Sequence, residues 1–473
     1  MNFPDNINIE SSVKEYLSDL YTPVGIYLRL RDKYRDSLLL ESAGNQNEEN
    51  NFSFIAINPI AGIEIKNTEE VEIKFPLRKN EIISLEGKVI TDLLHNFAKC
   101  FTYNNPGEKI VRQAQGFFGY TSYEAVPFFE KINLKKSSPE NKIPIIRYRL
   151  YQYVIVINHY NDQLFIIENA VEGLKSHFSK IENIIRQKNA PTFPFQSTEA
   201  EKSNLTDAEY LTLVEKAKEH CYRGDVFQLV LSRRFSQKFI GDEFNVYRAL
   251  RNINPSPYLF FFDYGDYKLM GSSPESQLII KDNKAIVHPI AGTFKRTGSI
   301  EKDLQAAKEL KNDPKENAEH TMLVDLARND LSILGQNTKV TKYKEVHFYS
   351  HVLHMVSEVQ SEVHENKNPF SWLANTFPQG TLSGAPKYKA MELIDYYEKT
   401  SRSFYAGCIG FVGLDGSCNQ AIMIRSFLSK NNTLFYQAGA GIVASSKAQK
   451  ELREVNNKLS ALKQAIKKAE NLN

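Results

Sequence analysis

The stretch QAGAGIVASS, residues 437–446, carries Gly439-x-Gly441-x-x-Ala444, the spacing of a dinucleotide-binding turn. Its reading decides the fold. A dinucleotide fold needs a strand, the glycine turn, an immediate helix, and then a second parallel strand with an acidic residue ~20 positions on. A strand, NTLFYQAGAG, does precede the turn, and a helix from about 447 to 469 follows it, with Ser446-x-x-Gln449 resembling a capping box. No second strand comes after that helix in this sequence, so the dinucleotide reading fails. What remains is a glycine-lined turn whose backbone N–H groups can approach an anion, because no Cβ intervenes. The alternative is an ordinary tight turn.

Working outward, short apolar strands separated by turns fill residues 1–190: VGIYLRL, NFSFIAINP, VEIKF, YQYVIVINHY and QLFIIEN, then a helical segment GLKSHFSKIENIIRQK. The polar stretch NAPTFPFQSTEAEKSN carries two prolines and no periodicity, and reads as a linker. A second domain, 205–470, opens on Thr206-x-x-Glu209, a capping box for a helix through Cys221. FQLVLSRRF, YLFFFDY, SQLIIKD, KAIVHPIAGT and GCIGFVGLD read as further strands, with helices near 301–311, 314–331, 368–376 and 384–398. Turns at Asp-Tyr-Gly-Asp, Asp-Asn-Lys and Leu-Asp-Gly favour antiparallel hairpins over β-α-β crossovers. The class is α+β.

The 473 residues are 42% hydrophobic, enough for a substantial core, and carry a net charge of +3 with both signs mixed throughout. That balance gives no footprint for nucleic acid or a membrane surface, and favours a small-molecule ligand. No apolar run approaches the ~18 residues of a spanning helix. The start, MNFPDNINIE, lacks the features of a secretory signal. The four cysteines, Cys100, Cys221, Cys408 and Cys418, are scattered and read as free thiols. A cytoplasmic protein is expected.

Two helices carry Glu-x-x-Glu: Glu316-Asn-Ala-Glu319-His320 and Glu451-Leu-Arg-Glu454. Spacing of three puts both carboxylates of a pair on one helix face. A solvated face is the common outcome, and Asp313-x-x-Glu316 behind Pro314 would also make a capping box. The sharper possibility is that the pairs face each other and hold Mg²⁺, which favours oxygen ligands and links carboxylates to anionic substrates.

SPESQLII (273–280), HPIAGTFKR (288–296), DPKENAEHTMLVDLARNDL (313–331), YSHVLHMVSEV (349–359), FPQGTLSGAPKYKAMELID (377–395), AIMIRSF (421–427) and QAGAGIVASS come in this order. The series resembles the chorismate-using enzymes, and within them anthranilate synthase component I. TPVGIYLRL, LLLES, NFSFIAINP and GFFGYTSYE fit the same pattern more weakly. The resemblance implies large antiparallel sheets packed as a sandwich with flanking helices, and chorismate bound in the C-terminal half. It implies Mg²⁺ at Glu316, Glu319, Glu451 and Glu454, some through water. It implies that Arg425, Tyr405 and Lys458 hold a substrate carboxylate or the enolpyruvyl group, that Gly439 and Gly441 offer N–H groups, and that Thr381 lines the pocket.

The chemistry suits these residues. A dicarboxylate would be repelled by four glutamates unless a cation intervened. In the reaction that the resemblance implies, ammonia adds at C2 of chorismate as the C4 hydroxyl departs, and pyruvate is then eliminated. Hydroxide leaves poorly, so an acid must protonate it, a role that Glu275 matches in related enzymes. His354 matches a histidine tied to pyruvate elimination; His351 nearby is a competing choice, and a core histidine is the bland one. Gln228 stands where water-using relatives carry a lysine base, and Ala291 where enzymes that aminate C4 carry a nucleophilic lysine. Both select ammonia attack at C2 and disfavour the alternatives, aminodeoxychorismate synthase component I and isochorismate or salicylate synthase. A catalytically dead chorismate binder is disfavoured by the full set of glutamates.

The resemblance also implies a separate glutamine amidotransferase subunit, since neither Cys408 nor Cys418 sits in a nucleophile turn. LLLES (Glu41, Ser42) and NPSPYL (with Pro257, Tyr258 and Leu259) match segments lining a tryptophan inhibitor site, although AGNQNEENN after Ser42 lacks a basic residue some relatives carry.

Overall fold

The computed structural model describes residues 3–4, 6–43, 51–104, 109–134, 139–348, 352–364 and 368–472. In it the expected strand NTLFYQAGAG forms as Thr433–Ile442, with Gly439 and Gly441 inside it, and the glycine turn expected at the same residues does not form. A glycine spacing of two satisfies the strand period as well as the turn signature, and here the pairing decides. The whole strand pairs antiparallel with Gln228–Gly241, placing Gly439 opposite Ser232 and Gly441 opposite Val230. The expected capping box at Ser446 is also absent. Its hydroxyl accepts from the Val443 N–H at 3.1 Å, and the C-terminal helix, Ala448–Ala469, begins after Lys447 instead.

Two sheets share one long strand pair, Phe52–Ile65 with Ile146–Asn158. Ser37–Glu41 flanks Phe54–Ala56, whereas Glu70–Lys74 flanks Gly62–Ile65, with a register shift between Pro59 and Ala61 where the strand changes sheet. From Ser37–Glu41 the first sheet runs through Tyr258–Asp263, Tyr267–Ser273, Ser426–Lys430 and Thr433–Ile442 to Gln228–Gly241. From Ile146–Asn158 the second runs through Gly116–Thr121, Cys408–Gly413, Cys418–Ile422, Ser276–Lys281 and Lys284–Val287 to Val352–Glu362. These pairings are antiparallel. Strands of 1–190 and 205–470 therefore hydrogen-bond directly to each other, at Ser37–Glu41 with Tyr258–Asp263 and at Gly116–Thr121 with Cys408–Gly413.

The predicted hairpins form. Asp282 and Asn283 take φ of 50° and 56° between Ile280 and Lys284, the left-handed pair that a two-residue turn requires. Thr206 caps Asp207–Arg223 through a complete capping box with Glu209. Two expectations are corrected. VGIYLRL is a helix, Pro23–Leu30: its alternating apolar residues mimic a strand, but Thr22 accepts from the Gly25 N–H and Pro23 starts the helix. The expected linker is stitched into the sheets, Phe195–Ser197 and Lys202–Ser203 both pairing with Gln228–Gly241. Main-chain pairing needs no apolar periodicity, so composition hid these strands. No helix among the described residues is long and apolar enough to cross a membrane.

Candidate active site

The pairing with Ser426–Lys430 ends at Tyr436, so beyond it one edge of Thr433–Ile442 is released from that neighbour. A cavity of about 160 Å³ opens there. The first sheet contributes Gln228, Gln437, Gly439 and Gly441, the second sheet's end Glu275, Ala291, Gly292 and His354, and the helices Glu319, Glu454 and Lys458. Thr381, Tyr405 and Arg425 add to the wall, beside the apolar Ile290, Leu323, Leu382 and Ile424.

The glycines leave room for close neighbours, the Leu231 carbonyl standing 2.8 Å from where a Gly439 Cβ would be. A Cβ at Gly441 would stand 2.3 Å from Gln228 Nε2, and one at Gly439 would stand 3.2 Å from the Tyr405 hydroxyl. In an antiparallel strand the N–H and C=O of one residue point to the same side, and residues two apart share that side. The Gly439 carbonyl accepts from Lys458 Nζ at 2.9 Å, which turns the Gly439 and Gly441 amides away from Gln228–Gly241.

Glu275 is 7% exposed and accepts from the Thr381 hydroxyl at 3.0 Å. Burial pushes its carboxyl up to about 7, against the pull of that hydrogen bond and of the Lys458 and Arg425 charges. It is thus a carboxylic acid that still holds its proton near neutrality. Arg425 has φ 49°, a left-handed backbone that costs a non-glycine residue free energy and is concentrated at functional sites.

His354 lies on Val352–Glu362. Opposite it, Ile290–Lys295 bulges between Ala291 and Thr293, and Gly292 there takes φ 69°. The bulge turns the Gly292 carbonyl to His354 Nδ1 at 3.0 Å. A carbonyl can only accept, so Nδ1 carries the proton. Burial, reinforced by Arg425, pulls the imidazole down to about 4, so it is neutral with its lone pair on Nε2. The competing His351 lies outside the described residues.

Gln228 Nε2 donates to Glu319 Oε1 at 2.8 Å, and Lys458 pairs with Glu454 at 2.8 Å. Lys458 and Glu454, 41% and 42% exposed, form the mouth. Glu316 and Glu451 do not line the cavity. Glu316 Oε2 is instead 3.1 Å from where a Gly292 Cβ would be, and Glu451 is 1% exposed on the next turn from Glu454. Asp313 caps the acidic helix, accepting from the Glu316 N–H at 3.0 Å. Among the described residues no three His, Cys, Asp or Glu side chains are gathered closely enough to enclose a metal ion. The two glutamates that do line the cavity, Glu319 and Glu454, offer oxygen donors from two helices, the kind that Mg²⁺ takes while keeping several waters and sharing its shell with an anionic substrate, whereas Glu316 and Glu451 stand back from it.

Sequence reasoning gave Gln437 no role. Gln437, Gly439 and Gly441 share one face of the strand, and carrying the period of two from the glycines back to Gln437 was the signal that could have found it.

A second cavity, about 500 Å³, is lined by Glu41, Ser42, Pro257, Tyr258 and Leu259 together with Phe52, Phe54 and Phe118. Glu41 lies opposite Leu259 in register. Its carboxylate accepts from the Tyr247 hydroxyl at 2.6 Å and pairs with Arg251 at 3.0 Å. Residues 44–50 of the adjoining AGNQNEENN segment lie outside the described residues.

Residues 36–464 match the family model of the chorismate binding enzymes. The chain is 35% identical to anthranilate synthase component 1 of Aquifex aeolicus, over 98% of this chain and 96% of that protein. It is similar to the crystal structure of anthranilate synthase component I from Streptococcus pneumoniae, with a TM-score of 0.73 at 30% identity, covering 94% of this chain and 99% of that one. The menaquinone-specific isochorismate synthase of Escherichia coli shares the fold, with a TM-score of 0.73 at 17% identity over 98% of this chain and 96% of that one.

Proposed function

The chain belongs to the family of chorismate binding enzymes, and we propose that it is the chorismate-converting subunit of an anthranilate synthase. In this reading ammonia adds at C2 of chorismate as the C4 hydroxyl leaves, and pyruvate is then eliminated to give anthranilate, the first committed step of tryptophan biosynthesis. The observation that carries it is Glu275, a buried acid with its carboxyl near 7, sharing one cavity with Arg425, Lys458 and the non-basic residues Gln228 and Ala291.

Glu275 protonates the departing hydroxyl, held in place by Thr381. Arg425, Lys458, Tyr405 and the Gly439 and Gly441 amides take up carboxylate charge. His354 Nε2 accepts the proton lost in the elimination. Gln228 is an amide and cannot generate hydroxide from water, whereas ammonia brings its own lone pair. Ala291 has no nucleophile to form a covalent adduct. Mg²⁺ held by Glu316, Glu319, Glu451 and Glu454, some through water, would offset their charge and anchor the ring carboxylate.

Glutamine is used only through a separate amidotransferase subunit. Burial pushes the Cys221 thiol up to about 11 and the Cys408 thiol up to about 12, and Cys418 is raised too, so these thiols are poor nucleophiles. The larger cavity suits tryptophan as a feedback inhibitor, its apolar walls taking the indole. The purified chain, given chorismate, Mg²⁺ and ammonium, is expected to release anthranilate, identified by fluorescence and mass. Glutamine in place of ammonium is expected to give none, and turnover of glutamine by the single chain would refute the partner. Gln228→Lys is expected to let some water-derived product appear.

A further inference from the structure

Gln437 is 3% exposed and lines the smaller cavity, and its orientation can be deduced atom by atom. Glu398 and Arg402 form a buried ion pair, with Arg402 Nη2 2.7 Å from Glu398 Oε1 and Arg402 Nε 2.9 Å from Glu398 Oε2. Arg402 is held further by the Leu382 and Val230 carbonyls, at 2.6 and 2.8 Å. An ionised carboxylate only accepts, so the Ser232 hydroxyl, 2.7 Å from Glu398 Oε1, donates its proton there. Having spent that proton, Ser232 Oγ can only accept from Gln437, which lies 2.7 Å away through Nε2. The amide is thereby locked with Nε2 on Ser232. Its Oε1 is buried and has no hydrogen-bond partner among the described residues.

A buried carbonyl oxygen without a protein donor calls for one from elsewhere, and this relay holds Gln437 Oε1 in that orientation. Arg425, Lys458 and the glycine amides are donors and answer the acceptor-only carboxylates of the substrate. Gln437 Oε1 is the opposite kind of group. We propose that it accepts a hydrogen bond from a neutral donor on the reacting ligands, making Gln437 a specificity-determining residue, with Ser232, Glu398 and Arg402 as the residues that position it. The inference rests on the function proposed above. Under that reaction the available donors are the C4 hydroxyl, which is chorismate's one uncharged O–H, and the N–H groups of ammonia.

The test is steady-state kinetics on Gln437→Met, which keeps the volume and deletes the acceptor, with Ser232→Ala, which frees the amide to turn. Loss of one neutral hydrogen bond corresponds to about tenfold. If ammonia is the donor, KM for ammonium rises about tenfold and chorismate parameters hold. If the ring hydroxyl is the donor, kcat/KM for chorismate falls by about that factor and KM for ammonium holds. Ser232→Ala is expected to move the same parameter by a smaller factor, and carries the test should Gln437→Met not fold. Unchanged parameters for both substrates in a folded variant overturn the inference. Wild-type protein that makes no aromatic amine strikes the proposed function instead. Chorismate titration calorimetry on wild type and variant then decides, equal affinities overturning the role of Gln437 and weaker binding by the variant supporting it.

Discussion

The two cavities are built on opposite plans. The smaller one, about 160 Å³, gathers Glu275, Glu319, Glu454, Lys458, Arg425 and His354 among a few apolar residues, several of them paired as Gln228–Glu319, Thr381–Glu275 and Lys458–Glu454, and glycines on its strand floor leave room for Gln228 and Tyr405. The larger, about 500 Å³, is lined by the aromatic and aliphatic side chains of Phe52, Phe54, Phe118, Tyr258 and Leu259 together with the charged Arg112, Lys281, Asp282 and Asp415, and its buried Glu41 pairs with Arg251 and accepts from Tyr247. The first keeps charge in reserve for a reaction. In the second the buried carboxylate is already paired, and the broad aromatic wall gives shape and apolar contact more weight in selecting a ligand. Their sequence origins differ too: residues 228–458 supply the first, whereas the second is assembled from residues 40–118 and 257–421, across the shared sheets.

The largest effect that could break this contrast is loss of metal. EDTA is expected to abolish turnover and Mg²⁺ to restore it, and Glu454→Gln should impair it severely while ligand binding in the larger cavity persists. Full activity in folded Glu454→Gln would remove the metal assignment. Next comes the acid. Glu275→Gln is expected to lower kcat by about 10²–10⁴-fold. Because burial raises its carboxyl to about 7, the active protonated form prevails below that pH. With free ammonia held constant, kcat/KM should therefore decline as pH rises through about 7, and a flat profile would assign the proton elsewhere.

Gly441→Ala probes the floor. The added methyl would displace Gln228, and a misplacement of about 1 Å at a reacting centre costs on the order of 10²-fold in rate. Wild-type kinetics in that variant would mean that the glycine serves only the sheet. The smallest expected effect lies in the other cavity. Tryptophan at millimolar concentration should bind, and Ser42→Phe should abolish that binding by filling the space. Calorimetry showing equal binding in the variant would move the inhibitor site.

Much of the smaller site was legible in the sequence because helices preserve local spacing. Glu319 and Glu454 could be paired with Glu316 and Glu451 from a three-residue interval alone, yet the interval could not say that only one of each pair reaches the cavity. That depends on how each helix is rotated against the sheets. Strands were harder. QAGAG satisfied two periods at once, and only its pairing with Gln228–Gly241 separates strand from turn. Pro23–Leu30 was misread because its apolar alternation outweighed the Thr22-Pro23 start. The second site was legible as two segments, but their meeting depends on Glu41 facing Leu259 across strands more than two hundred residues apart in sequence, a register that no local pattern encodes.

The most direct test of the account follows the attacking atom. Chorismate and Mg²⁺ are incubated with the purified chain in heavy-nitrogen ammonium and heavy-oxygen water, and the ring product is analysed by mass and fragmentation. The account predicts anthranilate that carries heavy nitrogen at C2 and no heavy oxygen. An amine at C4, or a ring hydroxyl at C2 derived from water, would contradict it.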